Sequence, residues 1–539
     1  MSRHKILFIL IIILSISLRF YKIGKIPNGL YSDEAAYGYN AYSILKTGKD
    51  EYGNFFPLAF KSFGDYKAPL YIYFLVPSIF IFGLSEEGVR LPSAILGTFE
   101  VFLVYILGKK LFYRKSFGLL SAFLVSVFPM GLQFNRMAHE NNLSLILITA
   151  SMLFFVLSLK YENYILITLA AFALSIYTYH DARILAPLLI FVLIMIYRKY
   201  LWQIRKKAII GFFIFLLLIT PLTQLIRTEA VLSRPKFTNI FSDVGVKLET
   251  NVERGEDKVS LFFAPFLFHN KITAFTGKFI DNYAKHFSFD FLFLTGESIK
   301  IYQTLQNGLF YISICPFLVL GIYFMFRRNL DHKWLMFLWF ALSPIPAAFT
   351  RFVPSASRSL SLLPTASLIT AFGIIKIIEY INYSRVKRVY LLFISLILSF
   401  NIMYYLHYYY FNTPIRYAKE WHYGMKDVIS KVKLLQDDYE AVWFSKNAWG
   451  YIYPLFYLRY PPDQYQKEAK LSSLNEYGFG WVEGFDKYVF NDFPQDFGGR
   501  KDTLFIGAPS DFSNAILPLS VTYYPNGEPA FYIVDSNSL

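Results

Sequence analysis

Long apolar runs, separated by short polar and basic segments, dominate this 539-residue chain. Eleven stand out: roughly 5–20, 88–108, 116–133, 143–159, 164–180, 184–197, 208–226, 305–326, 334–350, 359–380 and 388–408. Several approach 20 residues, enough at about 1.5 Å per residue to cross about 30 Å of hydrocarbon. The pattern predicts a polytopic α-helical membrane protein with about 11 transmembrane helices. A twelfth stretch, 69–84 (PLYIYFLVPSIFIFGL), is short and interrupted by Pro69 and Pro77.

Charge placement settles that stretch. Let the N-terminus, with Arg3 and Lys5, lie inside, and let 69–84 not cross. Then Lys109, Lys110, Arg114 and Lys115, Lys160, Arg198 to Lys207, Arg327, Arg328 and Lys333, and Arg385 to Arg388 all fall on one side. The positive-inside rule therefore favours eleven spans, a cytoplasmic N-terminus, and 69–84 at the outer surface or re-entrant. Arg19 and Lys22 follow the first run with no small-residue cleavage site, so it reads as an uncleaved helix. Residues 1–411 then form a membrane domain. Its outer loops 21–87 and 227–304 are large, and its inner ones are small. Residues 412–539 form an outer tail of mixed helical and strand pattern: helix 415–434, strand 441–445, helix 449–460, and strands near 504–507 and 531–534. This reads as a small soluble α/β domain.

Composition excludes other classes. Hydrophobic residues make up 55% and charged residues 17%, against about 25% charged in ordinary soluble domains. A soluble enzyme, a disordered chain and a fibrous repeat are ruled out. The net charge of +15 is distributed between apolar runs, which argues for membrane orientation and against nucleic acid. The single cysteine, Cys315, excludes an intramolecular disulfide and any multi-cysteine metal site.

Candidate chemistry concentrates in loop 21–87. After the turn at Asn28-Gly29, Ser32 is placed to cap a helix that Asp33 and Glu34 open, with Ala36, Tyr37, Asn40, Ala41 and Ile44 at helical spacing. Such a helix would lie along the membrane surface. The two carboxylates favour a helix N-terminus in any case. A carboxylate at the lipid boundary can also serve as a general base. Lys67 precedes Pro69, so the chain turns at residue 68. Lys67 reads either as a snorkelling lysine or as a phosphate contact. Arg90 opens the next span, as an interfacial anchor or as a guanidinium for a lipid phosphate.

The order DEAAYGYNAYSIL, YKAPLYIY, FGLSEEGVRLPSAILG and GKKLF resembles the GT-C-type membrane glycosyltransferases. It is similar to the bacterial group that includes protein O-mannosyltransferases and lipid A aminoarabinose transferases. The match runs over about 90 residues. It continues more loosely through NRMAHENN (135–142), YTYHDARILAPLL (177–189) and SPIPAAFTRFVPSASRSLSLLP (343–364). The resemblance implies Asp33 as catalytic carboxylate, Glu34 as its partner, and Lys67 and Arg90 as donor-phosphate contacts. The implied substrate is a polyprenyl-phosphate sugar, used on the outer face for hexosyl or pentosyl transfer to a lipid, glycan or protein hydroxyl. One base without a second nucleophilic carboxylate suits inversion. No cofactor is implied. His139 and Glu140 leave a divalent cation open as a ligand, but none is indicated, because His139 has no second histidine at metal spacing.

Further candidates are His139 and Glu140 in one outer turn and His180 and Asp181 in another, as acceptor or sugar contacts. Interfacial capping, or an Asp181–Arg183 turn, is the plainer account of each. Arg358, near Arg351 in an outer turn, is a candidate for phosphate or sugar. Glu100, at membrane depth in its span, reads as packed against an unidentified partner. The tail lacks the WWDYG signature of oligosaccharyltransferases, which argues against en bloc transfer to asparagine. A lipid-linked-sugar flippase, a glycan polymerase or ligase, and a non-catalytic assembly protein are the competing readings. The absence of paired halves speaks against a transporter.

Overall fold

Most of the apolar runs fold as helices, the form that satisfies backbone polar groups within the segment itself. A computed structural model describes residues 2–225, 228, 237–260, 267–304, 307–327, 330–448, 450–473, 480–494, 502–512 and 516–536. Arg328, Trp449, residues 305–306 and parts of loop 227–304 lie outside the described residues. Among those described, six helices are long and apolar enough to cross a membrane. They are Glu86–Leu111, Asn141–Ser158, Ala182–Gln203, Arg205–Leu225, Leu362–Tyr380 and Ser384–Arg416. The pair Lys115–Val127 and Pro129–Asn135 passes the same test together, bent by 59° where Pro129 interrupts the helix, the form of a broken span or a re-entrant loop. The other predicted runs fold as shorter pieces. Tyr164–Ser175 and Ile312–Arg327 are apolar helices of fewer than 18 residues. Run 334–350 divides around Pro344 into Lys333–Leu342 and Ile345–Ala348. The first run is the 18-residue helix α1 (Arg3–Phe20), with charges at both ends.

The chain forms two units. The first comprises Met1–Leu18, Gly97–Gln133 and Asn141–Tyr405, and its helices pack closely at small residues. A Cβ on Gly321 would lie 2.2 Å from the Ile369 carbonyl oxygen, and one on Gly373 would lie 2.1 Å from that of Phe317. Only glycine lets these two helices approach so closely. Glu100 is buried here and accepts a hydrogen bond from Thr149 Oγ1 at 2.8 Å, which supplies its partner.

The second unit comprises Arg19–Leu96, Phe134–Glu140 and Leu406–Leu539. Helix α2 (Ser32–Thr47) ends at Gly48, whose φ of 70° is left-handed. Strands β1 (Phe60–Ser62) and β2 (Asp65–Lys67) form a hairpin that pairs Phe60 with Lys67. Ala68 is extended and Pro69 opens α3 (Pro69–Phe82), so the chain turns where the proline requires. Helix α4 (Glu86–Leu111) begins in this unit and carries Arg90. The tail contributes β3 (Ala441–Phe444), β4 (Lys470–Leu471), β5 (Val482–Phe485), β6 (Tyr488–Phe490), β7 (Thr503–Gly507), β8 (Ser520–Tyr523) and β9 (Pro529–Asp535). They form one sheet in the order β4-β5-β6-β3-β7-β9-β8. Strand β3 is parallel to both β6 and β7, and the other pairs are antiparallel. Trp443, Phe505, Phe512 and Val534 form a hydrophobic core in this sheet region. The tail helix Ile452–Tyr457 packs on α2 so tightly that a Cβ on Gly38 would lie 2.8 Å from the Phe456 ring.

Candidate active site

The first turn of α2 presents its two carboxylates to different partners. Asp33 Oδ1 lies 2.5 Å from Lys67 Nζ. The Asp33 side chain is 32% exposed and that of Lys67 only 5%. The Lys67 ammonium also lies 5.0 Å from the centre of the Tyr37 ring, one helical turn beyond Asp33. Helix α2 and the hairpin thus build a buried cation beside a reachable carboxylate.

Glu34 points the other way and is fully buried. Its Oε1 accepts from Arg90 Nε at 2.9 Å and from the Ala138 N–H at 2.8 Å. Its Oε2 accepts from Arg90 Nη2 at 2.7 Å and from the Tyr31 N–H at 3.2 Å. Arg90 spends its remaining N–H groups on carbonyl oxygens of Ile23, Pro27 and Gly29. All five donors of a guanidinium are then in use. Arg90 is 0% exposed and lies over the Trp421 ring. This departs from its expected role as a phosphate contact. The side chain is consumed in fixing residues 23–34, and with them the start of α2.

Three further buried residues, two of them without a sequence signal, belong to this unit's polar interior. Arg136 donates to the carbonyls of Arg19, Tyr21 and Ile26 and lies over Tyr409 and Tyr410, so it pins the chain entering loop 21–87. His422, from the tail, is buried beside Tyr31, with ring centres 5.4 Å apart. The Tyr453 O–H donates to the Leu30 carbonyl at 2.9 Å, so in its contact with His422 Nδ1 it must accept. Nδ1 therefore carries the hydrogen. Burial pushes this imidazole down to about 3, with the Asp33 charge opposing, so it is neutral at physiological pH. Glu51 is the third, a buried carboxyl held by Asn40, Ser62 and Tyr451.

His139 and Glu140 are buried in the segment that also donates the Ala138 N–H to Glu34. The His139 ring meets Phe134 edge-on at 5.6 Å. His180, Asp181 and Arg358 belong to the first unit, where they line a cavity of about 250 Å³ with Arg183, Asn239 and Thr350. Burial pushes Asp181 up to about 7, against a hydrogen bond from Ser144 and the Arg358 charge. Glu297, also buried, is pushed up to about 7 and accepts from the Ala356 N–H at 2.7 Å. His286 donates from Nδ1 to the Asn282 carbonyl of its own helix and accepts at Nε2 from the Ser355 N–H, so the ring ties that helix to the turn that carries Arg358. The structure thus brings together Asp33, Glu34, Lys67, Arg90, His139 and Glu140 in one unit and His180, Asp181 and Arg358 in the other. No group of three or more metal-ligating side chains occurs among the described residues.

Comparison with known proteins agrees with this architecture. Residues 66–224 match the model of a family described as dolichyl-phosphate-mannose-protein mannosyltransferase. No curated protein sequence matches the chain. Among solved structures, ArnT from Cupriavidus metallidurans bound to undecaprenyl phosphate is similar, with a TM-score of 0.54 and 11% identity over 98% of this chain and 97% of that one. Its apo form gives a TM-score of 0.53 at 12% identity, over 99% of this chain and 98% of that one. The archaeal oligosaccharyltransferase AglB from Archaeoglobus fulgidus, in complex with an inhibitory peptide and a dolichol-phosphate, gives 0.51 at 12% identity over 84% of this chain. The present chain spans 63% of that enzyme's length. The chain has the fold of the GT-C-type membrane glycosyltransferases, and its residues 66–224 carry the pattern of the mannosyltransferase family model.

Proposed function

We propose that this chain is an integral-membrane glycosyltransferase that moves a sugar from a polyprenyl-phosphate donor to an extracytoplasmic hydroxyl with inversion. The observation that carries the proposal is the Asp33–Lys67 pair at 2.5 Å, in which the carboxylate is reachable and the cation is fixed. The undecaprenyl phosphate of the ArnT complex and the dolichol-phosphate of the AglB complex support a lipid phosphate as donor.

In this reading the donor phosphate docks at Lys67. The acceptor hydroxyl approaches from water. Asp33 takes its proton as the oxygen attacks the anomeric carbon. The bond from that carbon to the phosphate oxygen breaks, and its electron pair leaves with the polyprenyl phosphate. Lys67 stabilises the charge developing there. A single direct displacement inverts the anomeric centre. Arg90 and Glu34 act at one remove by holding the N-terminus of α2, and hence Asp33, in place. Residues 1–411 would be the membrane catalytic part, with the N-terminus cytoplasmic and 412–539 on the outer face. Arg358, His180 and Asp181 would contact sugar or acceptor in their own cavity, and His139 and Glu140 would support the Asp33 site.

Transfer from radiolabelled polyprenyl-phosphate sugars in proteoliposomes, with the anomeric configuration of the product determined, tests the proposal. Product of inverted configuration supports it. Retention refutes the single-base mechanism. Movement of intact lipid-linked sugar across the bilayer without transfer identifies a flippase instead.

A further inference from the structure

Glu51 lies in the stretch DEYGNFFPL, where no periodicity or motif marks it. The backbone around it is fixed. Asp50 accepts from the N–H groups of Tyr52 and Asn54, closing a tight turn after α2. The Glu51 N–H donates to Asn40 Oδ1 at 3.1 Å. The carboxyl is 0% exposed. Its Oε1 accepts from Ser62 Oγ at 2.9 Å and from the Tyr451 O–H at 2.8 Å, and its Oε2 from Asn40 Nδ2 at 3.2 Å.

These partners sit on the elements that make the Asp33–Lys67 pair. Asn40 is on α2, two turns beyond Asp33 and on the same face. Ser62 is on β1, and β2, paired to it, carries Lys67. Tyr451 joins the tail to both. No cation donates to the Glu51 carboxyl among the contacts described; burial dominates its environment, and the Lys67 charge is a lesser influence that favours the ionised form.

We propose that Glu51 is a positioning residue that locks Lys67 against Asp33 and whose own charge decides whether Lys67 can receive a donor phosphate. The inference rests on the donor reading above. While Glu51 is neutral, the local charges are the Lys67 cation and the Asp33 anion, and an incoming phosphate shares the buried ammonium with Asp33 alone of these two carboxylates. Once Glu51 ionises, a second anion competes for the same cation. Burial pushes this carboxyl up to about 8, against the Tyr451 and Ser62 hydrogen bonds, so the change falls just above neutral pH. The other titratable groups around it are Asp50 on its own turn, Lys67 on β2, Tyr39 on α2, Tyr52, and Tyr451 and Tyr465 from the tail. All four tyrosines are raised above their usual value by burial and remain neutral across this range.

The test is equilibrium binding of a polyprenyl methyl phosphate to the full chain in lipid nanodiscs from pH 6 to 9.5. This phosphodiester probe keeps one charge throughout. Wild-type affinity is expected to fall on the order of tenfold between about pH 7 and 9, the scale of one added charge across a protein interior. Glu51→Gln should bind with no such fall. Tyr451→Phe removes a donor that favours the ionised form, so its fall should move to higher pH; this variant decides the question if Glu51→Gln fails to fold. A fall at the same pH in wild type and in folded variants, or no fall in wild type, overturns the role of Glu51. Lys67→Met separates the two readings. Binding that survives Lys67→Met removes the donor site and this inference with it. Binding lost in Lys67→Met while Glu51→Gln keeps the wild-type pH profile overturns Glu51 alone.

Discussion

Truncating Glu34 should destabilise the start of α2 severely. Glu34→Ala leaves the Arg90 guanidinium buried, with only three carbonyl oxygens around it, and strands the N–H groups of Ala138 and Tyr31. The charges are 2.7 Å apart and neither side chain is exposed. At an effective dielectric of about 20 their attraction is about 6 kcal/mol, and breaking one side of such buried pairs costs about 3–5 kcal/mol. At about 1.4 kcal/mol per factor of ten, α2 should open between about 100-fold and about 4,000-fold more often. Hydrogen exchange in nanodiscs reads this directly at the amides of Tyr39 to Ile44, whose own helical bonds the substitution leaves intact. Removing both charges, as in Glu34→Gln with Arg90→Gln, should recover most of the loss, because no lone charge stays buried. A loss below about 1 kcal/mol in Glu34→Ala, the range of an exposed ion pair, would refute the reasoning.

Two further predictions concern Lys67 and, in the first unit, Glu297. Lys67→Met should raise the donor KM by about 10- to 150-fold, the equivalent of the roughly 1.5–3 kcal/mol of a charged hydrogen bond, in steady-state transfer kinetics. A KM within twofold of wild type would remove Lys67 from the phosphate site. Glu297 is buried and raised to about 7, so the folded state holds its proton after the unfolded state has lost it. Stability should therefore fall as pH rises from about 4.5 to 7 and level off above, by about 3 kcal/mol in all. Glu297→Gln should flatten that slope in a pH series of unfolding midpoints, and an unchanged slope would exclude Glu297 as its source.

Legibility in the sequence followed the range of the contacts. The start of α2 and the turn at residue 68 were readable because helix starts and proline geometry are local rules, although Tyr31 and not Ser32 stands at the N-cap. The central strand read as 441–445 is β3, and 504–507 and 531–534 lie within β7 and β9, since short apolar β-branched or aromatic stretches signal strands. The helix read as 415–434 instead begins its regular course at Met425, because Gly424 adopts φ 93° and breaks it. Arg90 was visible as a residue type, but not that carbonyls of residues 23–29 and a buried carboxylate consume its donors. Glu51 was invisible, since its Tyr451 partner is 400 residues away. Helix count escapes the sequence for the opposite reason. Hydropathy sees an apolar run whether it folds as one helix, a bent pair at Pro129 or two pieces around Pro344.

The central claim is that Asp33 accepts the proton of the attacking hydroxyl. Asp33→Asn preserves size and one acceptor oxygen and removes the base. Transfer from a polyprenyl-phosphate sugar in proteoliposomes should drop about a hundredfold or more, with binding of the lipid phosphate retained. Transfer by Asp33→Asn at the wild-type rate would contradict the account.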